Sequence, residues 1–452
     1  MTKIFAKHAR LPTGWSENVV VAVRGGVIQS ATPKTSPPVD AFHVDALLPA
    51  LSNLHSHAFQ RAMAGMTERR SAGRDSFWTW RDLMYRFANR IAPEELEAIA
   101  AQAYMEMMEA GYAAVGEFHY LHHAQDGAQY AAIDELSQRI FAAALQTGVG
   151  LTHLPVLYSY GGAGKAPLAP EQRRFGNSLD RFDKIVEEAR CKLPFADACI
   201  GIAPHSLRAV SPDELKALLA KYRDGPVHIH VAEQPKEVED VKAWLGARPI
   251  EWLMDNLGVD GRWCAVHATH MTDAETLALA ASGAVAGLCP ITEANLGDGA
   301  FNGPTYLNAG GAFGIGSDSN VRIALGEELR LLEYSQRLRD KMRNVLVKDG
   351  FGVGESLYLD AAKGGAKALG RSAGTIEAGM LADLVAFDLS APALCALKPE
   401  QILDGIVFAS GDNVVTDVWS AGRHVVANGL HKARDTINAN YKRAVSALID
   451  RA

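Results

Sequence analysis

The chain has 452 residues, 48% of them hydrophobic and 21% charged, with 45 basic and 52 acidic side chains and a formal net charge of −7. Such a chain buries a large core, which excludes a stapled or metal-nucleated mini-fold, and its hydrophobicity excludes a disordered polymer. The mild acidity argues against a general nucleic-acid binder, which needs a basic face, but leaves room for a small anion met by a local pair of arginines.

At about 150 residues per domain, the length alone suggests roughly three domains. The five cysteines (191, 199, 264, 289, 395) are odd in number and form no C-x-x-C, so no disulfide framework is expected and a reducing compartment fits. Charges stand where a secretory signal needs its apolar stretch. The longest apolar tract, 277–289, is broken by Ser282 and Gly283 and falls short of the about 20 residues that span a bilayer. A soluble cytoplasmic protein is expected.

The first 48 residues read as β structure, with an apolar run at 18–23, a hairpin turn at Arg24-Gly25-Gly26, a resumed strand at Val27-Ile28 and a turn-rich break at 33–38. Eight apolar runs follow, at 47–54, 113–117, 148–157, 198–203, 227–231, 264–267, 284–288 and 312–316. Helical stretches such as 93–110, 212–222, 236–245 and 273–281 separate them. Strand–helix alternation of this kind makes a parallel sheet, and eight units suggest a (β/α)8 barrel. Beyond the eighth unit, 382–387, 405–408, 414–419 and 424–427 read as short strands, and 436–449 as a closing helix. Segment 60–90 is too long for a plain βα connection. It carries five arginines between Arg61 and Arg81 and the aromatics Phe77, Trp78 and Trp80. A connection of that length usually carries function, a solvated excursion being the plainer reading.

The informative members of the fifteen histidines sit at the ends of apolar runs. His55 and His57 are two apart, so both can point to one face and one metal; a hydrogen-bonded core pair is the other reading. His228 and His230 repeat the spacing, and His228, one pleat deeper, is expected to fill the barrel or support the ligands rather than bind. His267 ends the 264–267 run and Asp318 follows the last one. A total of 173 residues separate His57 from His230, 37 separate His230 from His267, and 51 separate His267 from Asp318. With 30 or more residues per βαβ unit, these groups fall after strands 1, 5, 6 and 8 and converge at the C-terminal mouth. His119, His122 and His123 are expected in a solvated loop or behind the ligands.

As an ordered set these residues resemble the amidohydrolase superfamily: His55-x-His57, His230 with Glu233, His267, Asp318, and the late segment Gly374-Thr-Ile-Glu-Ala-Gly379-Met-Leu-Ala382-Asp383-Leu-Val. The resemblance covers nearly the whole chain. It implies two units rather than three: a (β/α)8 TIM-like barrel over 49–375, and a small discontinuous β-sandwich domain from 1–48 and 376–452. Members with two metals bridge them with a modified lysine or a carboxylate from strand 3 or 4. Here 154–161 and Ala203-Pro-His205-Ser-Leu-Arg208 hold neither Lys nor Glu. One metal is therefore expected, on His55, His57, His230 and Asp318, with water in the open position; the donors suit zinc, with iron as the alternative. A Glu three residues past the strand 5 histidine is similar to the deaminase branch. There the metal brings the pKa of its water toward about 7. The resemblance makes Asp318 the acceptor of the water proton, Glu233 the shuttle to the leaving nitrogen, and His267 the stabiliser of the tetrahedral intermediate.

The substrate side is read from arginines. Arg208 puts a fixed cation at the mouth, Gln60 and Arg81 come from 60–90, and Tyr120 follows strand 2. Two guanidinium forks suit a dicarboxylate, whereas a neutral nucleobase would need amide and aromatic contacts. A surface salt bridge is the other reading of either arginine. The segments Leu54-His-Ser-His-Ala-Phe-Gln60-Arg-Ala-Met, Glu117-Phe-His-Tyr-Leu-His-His123 and Ala203-Pro-His-Ser-Leu-Arg208 are similar to superfamily members that hydrolyse N-formimidoyl-L-glutamate to N-formyl-L-glutamate and ammonia in histidine degradation. That resemblance implies substrate binding by Gln60, Arg81, Tyr120, His205 and Arg208, a homodimer, and no nucleic-acid or membrane partner. The alternatives are a nucleobase or aminotriazine deaminase on the same site, and an inactive scaffold of the same fold.

Overall fold

The structure, a computed structural model, describes residues 1–69 and 76–451. Four strands open the chain: β1 (Thr2–Leu11), β2 (Gly14–Arg24), β3 (Val27–Thr32) and β4 (Phe42–Pro49). β1 pairs antiparallel with β2, β2 with β3, and β1 parallel with β4. One residue after Pro49 the chain starts again as β5 (Leu51–Ser56), a strand buried at every position. The run read as 47–54 is thus two strands in two different sheets, because Ala50 turns away to hydrogen-bond the Asp383 carbonyl at 3.0 Å.

The remaining barrel strands are β6 (Tyr112–His119), β7 (Gly150–Leu157), β8 (Cys199–Ile200), β9 (Ala203–Pro204), β10 (Val227–Val231), β11 (Trp263–His267), β12 (Val285–Leu288) and β13 (Ala312–Ile315). β5 to β8 run parallel in one arc and β10 to β13 in another, with β9 on β7. Parallel bridges from Ile202 to Val227 and from Ser56 to Asp318 join the arcs at both seams. The fourth barrel strand is therefore the broken pair β8 and β9. At the break, a Cβ on Gly201 would stand 2.6 Å from the Pro226 carbonyl oxygen, so the close approach needs glycine. Strands buried on both faces are what a parallel sheet covered by helices requires.

The chain closes with β14 (Leu384–Phe387), β15 (Val415–Ser420), β16 (Arg423–Ala427), β17 (Leu430–His431) and the helix Arg434–Asp450. β14 pairs antiparallel with β4, Leu384 opposite Pro49 and Phe387 opposite Ala46. Both ends of the chain thereby share one eight-stranded sheet, ordered β17-β16-β15-β14-β4-β1-β2-β3. The run at 405–408 is not a strand. It lies in the helix Ile402–Phe408, which buries Ile402, Leu403, Ile406 and Val407 at helical spacing. A short apolar run carries no period long enough to separate the two states. A buried ion-pair chain ties the sheet to the barrel: Arg371 meets Asp383 at 2.9 Å and Asp197 at 3.2 Å, and Arg423 meets Asp197 at 2.6 Å.

The connection after β5 is folded rather than looped. A 3-10 helix (Ala58–Met63) and an α-helix (Phe77–Ala88) lean over the C-terminal mouth. Arg70 and Arg74, two of its five arginines, lie outside the described residues.

Candidate active site

The mouth is built from strand ends. His55 is the penultimate residue of β5 and His57 follows it; His230 sits in β10; Asp318 lies three residues past β13. All four are at most 5% exposed. Their nearest donor atoms all lie within 4.8 Å of one another. Asp318 Oδ1 is 3.4 Å from His55 Nε2 and 3.3 Å from His57 Nε2, and His55 Nε2 is 3.1 Å from His230 Nε2. Asp318 and His267 hold positive φ angles of 45° and 68°, and so do Ala232 and Ala268. Non-glycine residues keep that conformation only where the surroundings enforce it. Asn320 supplies part of that enforcement, its amide donating to the backbone carbonyls of His57 and Asp318 at 3.1 Å each.

The hydrogen bonds behind the imidazoles set which nitrogen faces the cluster. His57 Nδ1 donates to the Phe118 carbonyl at 3.0 Å, and His230 Nδ1 to the His205 carbonyl at 3.2 Å. Each ring then turns an Nε2 lone pair inward. Burial pushes the His55 ring down to about 3 and lowers His57 and His230 too, so all three stay neutral. Burial works against ionisation of Asp318, but the hydrogen bond from His55 and the nearby His57 and His267 outweigh it and hold the carboxyl below its ordinary range. The nitrogens and the carboxylate oxygen lie close enough to share one ion. The donor set therefore fits a divalent metal of borderline softness. Among the described residues two further groupings of potential ligands, His267 with Cys289 and Asp318, and Glu233 with His267 and Asp298, share His267.

Beside this cluster stand Glu233 and His267. His267 Nδ1 donates to Glu293 Oε1 at 3.2 Å, which also takes the Cys289 N–H at 2.8 Å. Its Nε2 lies 3.7 Å from Glu233 and 3.9 Å from Asp318. Burial opposes its charge, yet Glu233, Glu293 and Asp318 overcome that and push it up to about 10. Burial, chiefly, raises Glu233 to about 7, against the pull of His267 and Arg208.

The cavity above is lined by Gln60, Arg81, Tyr120, His205 and Arg208 together with His57, His230, Glu233, His267 and Asp318. Gln60 Nε2 donates to Tyr120 Oη at 2.8 Å, leaving its buried Oε1 without a partner. Arg81 stacks on Trp78, 4.5 Å from the ring centroid, and among the described residues it meets no carboxylate. Arg208 has the distant approach of Glu237, at 3.9 Å. His228 stays out of the cluster, its Nε2 donating to the Ala368 carbonyl at 2.8 Å. His119, His122 and His123 are not in a solvated loop. All three are buried, His122 bonding the Val156 carbonyl at 3.0 Å and His123 the Asn177 side chain at 2.7 Å.

Sequence reasoning missed Glu293, which lies in the helix Pro290–Leu296 after β12, and Asp298, which follows that helix, because neither stands directly at a strand end. It also missed Tyr85, Tyr158 and Gln172, which no motif marks.

Fold and site define the class. The amidohydrolase family profile matches residues 46–425, and the chain belongs to that family. Residues 1–40 match the N-terminal domain of formimidoylglutamate deiminase HutF. A Pseudomonas aeruginosa protein described as formimidoylglutamate deiminase is 48% identical over 453 residues, covering all of both chains. A 5-methylthioadenosine/S-adenosylhomocysteine deaminase of Natronomonas pharaonis is 27% identical, covering 90% of this chain and 88% of its own. Among solved structures, an amidohydrolase from Brucella melitensis superposes with a TM-score of 0.96 at 49% identity, covering 99% of this chain and all of the other. A zinc-bound adenosine deaminase from Xanthomonas campestris, at 24% identity and a TM-score of 0.82 over 99% and 98% of the two chains, shares the fold.

Proposed function

We propose that this chain hydrolyses N-formimidoyl-L-glutamate to N-formyl-L-glutamate and ammonia, with one zinc ion held by His55, His57, His230 and Asp318. One observation carries the reading. A single cavity joins an inward-facing His/Asp donor set and a buried carboxylate, Glu233, to two guanidinia with little or no protein counter-charge. The P. aeruginosa relative, similar from end to end, supports the same substrate.

The metal supplies Lewis-acid activation of a water nucleophile at neutral pH. The rest is done by side chains. Arg81 and Arg208 take the two carboxylates, and Gln60 Oε1 and Tyr120 border the chain between them. A formamidine is cationic at neutral pH, so an ionised Glu233 pairs with it and holds its carbon over the donor set. Asp318, kept anionic, receives a proton from the attacking water. His267, kept cationic by its carboxylate neighbours, donates a hydrogen bond to the oxygen that gains charge on the tetrahedral carbon. Glu233 takes the proton of the hydroxyl on the tetrahedral carbon and passes it to the nitrogen that leaves, so that the C=O bond forms as the C–N bond breaks, and the proton on Asp318 returns to solvent. The balance is one water consumed, one C–N bond broken and one ammonia released.

A nucleobase or aminotriazine deaminase is the competing reading, and it leaves Arg81 without a counter-charge and Arg208 with only the distant Glu237. Ammonia release from N-formimidoyl-L-glutamate, guanine and cytosine by zinc-loaded protein separates the two. Turnover of a base without turnover of the formimidoyl compound would overturn the proposal. We also take the chain to divide into 49–375 and 1–48 with 376–452. Ile376 packs into the core of the terminal sheet and Leu51 into that of the barrel, which supports those boundaries.

A further inference from the structure

A further set of donors stands at the Arg81 end of the cavity. Tyr85, from the helix Phe77–Ala88, and Tyr158, one residue past β7, line it beside Arg81 and Arg208, and both are buried. Behind them lies Gln172, 3% exposed. Its Oε1 accepts the Ala169 N–H at 2.9 Å, which fixes the amide orientation. Nε2 is then the atom facing the phenols, 3.2 Å from Tyr85 Oη and 2.9 Å from Tyr158 Oη; it also lies 3.4 Å from the Gly161 carbonyl.

An amide nitrogen has no lone pair to offer, so neither phenol can donate to it. Each phenol can accept from Gln172, and its own proton must go elsewhere. With no acceptor among the described residues except the other phenol, at least one phenolic proton is left for the cavity. Burial holds the Tyr158 phenol well above its ordinary range, which keeps it a donor. Arg81 Nε is likewise buried without a partner. Arg208 approaches Glu237, whose other oxygen takes the Glu233 N–H at 3.0 Å, so Arg208 stands nearer the reacting group. Arg81 and Tyr85 share the overhanging helix, the Arg81 guanidinium lying 5.4 Å from the Tyr85 ring centroid.

We infer that Tyr85 and Tyr158, oriented by Gln172, complete with Arg81 a binding site for the substrate carboxylate remote from the amidine. The inference rests on the proposed deiminase reading and deepens it. At least one neutral phenolic donor beside a guanidinium suits a carboxylate and disfavours a second cation or an apolar tail. Leaving such buried donors unpaired is what rejects a substrate that lacks the group.

The test is the ratio of kcat/KM for N-formimidoyl-L-glutamate to that for N-formimidoylglycine, which keeps the near carboxylate only. It is measured for the zinc-loaded wild type and for a Tyr85→Phe/Tyr158→Phe double variant. We expect the ratio to fall roughly tenfold or more, carried by KM for the glutamate compound. A ratio equal to that of the wild type, or an equal loss on both substrates, would overturn the inference alone. A wild type inactive on both would overturn the deiminase reading and the inference with it. If the double variant folds poorly, the ratio for Tyr158→Phe decides in the same way.

Discussion

The Nε2 atoms of His55 and His230 stand 3.1 Å apart, and the Nδ1 of His230 is spent on the His205 carbonyl. A lone pair of His230 therefore points at the neighbouring ring, beside the Asp318 carboxylate. A cation at that point would meet the His230 lone pair and the Asp318 carboxylate together.

Metal removal should therefore lower the melting temperature. At a free metal concentration a thousandfold above Kd, binding to the native state alone is worth about 4 kcal/mol. Thermal scans with and without chelator, alongside elemental analysis, measure this. His230→Ala should lose the metal and the chelator-sensitive part of Tm together. A chelator that strips the metal and leaves Tm in place would contradict the account.

Glu233 should control turnover and not metal content. Glu233→Gln cannot move a proton, and kcat should fall by roughly 10²–10⁴ with the metal retained. Burial raises its carboxyl to about 7, and only the ionised form, present above that value, pairs with a cationic formamidine. The kcat/KM profile should fall as pH drops through about 7, and the residual activity of Glu233→Gln should lack that limb.

Arg208→Met should act on binding. Losing a charge-assisted hydrogen bond costs about 1.5–3 kcal/mol, so KM should rise by roughly tenfold to a hundredfold while metal content holds. Steady-state kinetics with elemental analysis checks it; kinetics equal to the wild type would remove Arg208 from the site.

Glu117 offers a test of the fold behind His57. Its Oε1 accepts the Ala58 N–H at 2.9 Å, and burial pushes its carboxyl up to about 8 from 4.5. A carboxyl raised by folding costs nothing below its unfolded value, and the cost grows as pH climbs from about 4.5 to about 8. Glu117→Gln keeps the acceptor and removes the titration. The Tm of the variant relative to the wild type should therefore rise across that window. A constant difference would contradict the shift.

The barrel and the convergence of His55, His57, His230 and Asp318 were legible because each rests on a local signal. Apolar runs mark the strands, and His55, His57, His230 and Asp318 follow them at spacings a barrel converts into proximity. The 405–408 helix was misread because four residues carry no period. The split at Pro49 was invisible because both halves are apolar, and only pairing with β14 assigns the first half to the terminal sheet. Tyr85, Tyr158 and Gln172 were missed for a different reason. They come from three separate segments, and their meaning lies in hydrogen-bond polarity, which a sequence does not display. The solvated-loop alternative for His119, His122 and His123 fails because polar spacing cannot show that all three are buried, nor that His122 meets the Val156 carbonyl and His123 the Asn177 side chain.

The central claim is that water replaces the terminal imino nitrogen of a formimidoyl dicarboxylate. Mass spectrometry of the product of N-formimidoyl-L-glutamate hydrolysis in ¹⁸O-water tests it most directly. The account predicts N-formyl-L-glutamate carrying one ¹⁸O, with one ammonia per product. Glutamate and formamide, the products of breaking the other C–N bond, would contradict it.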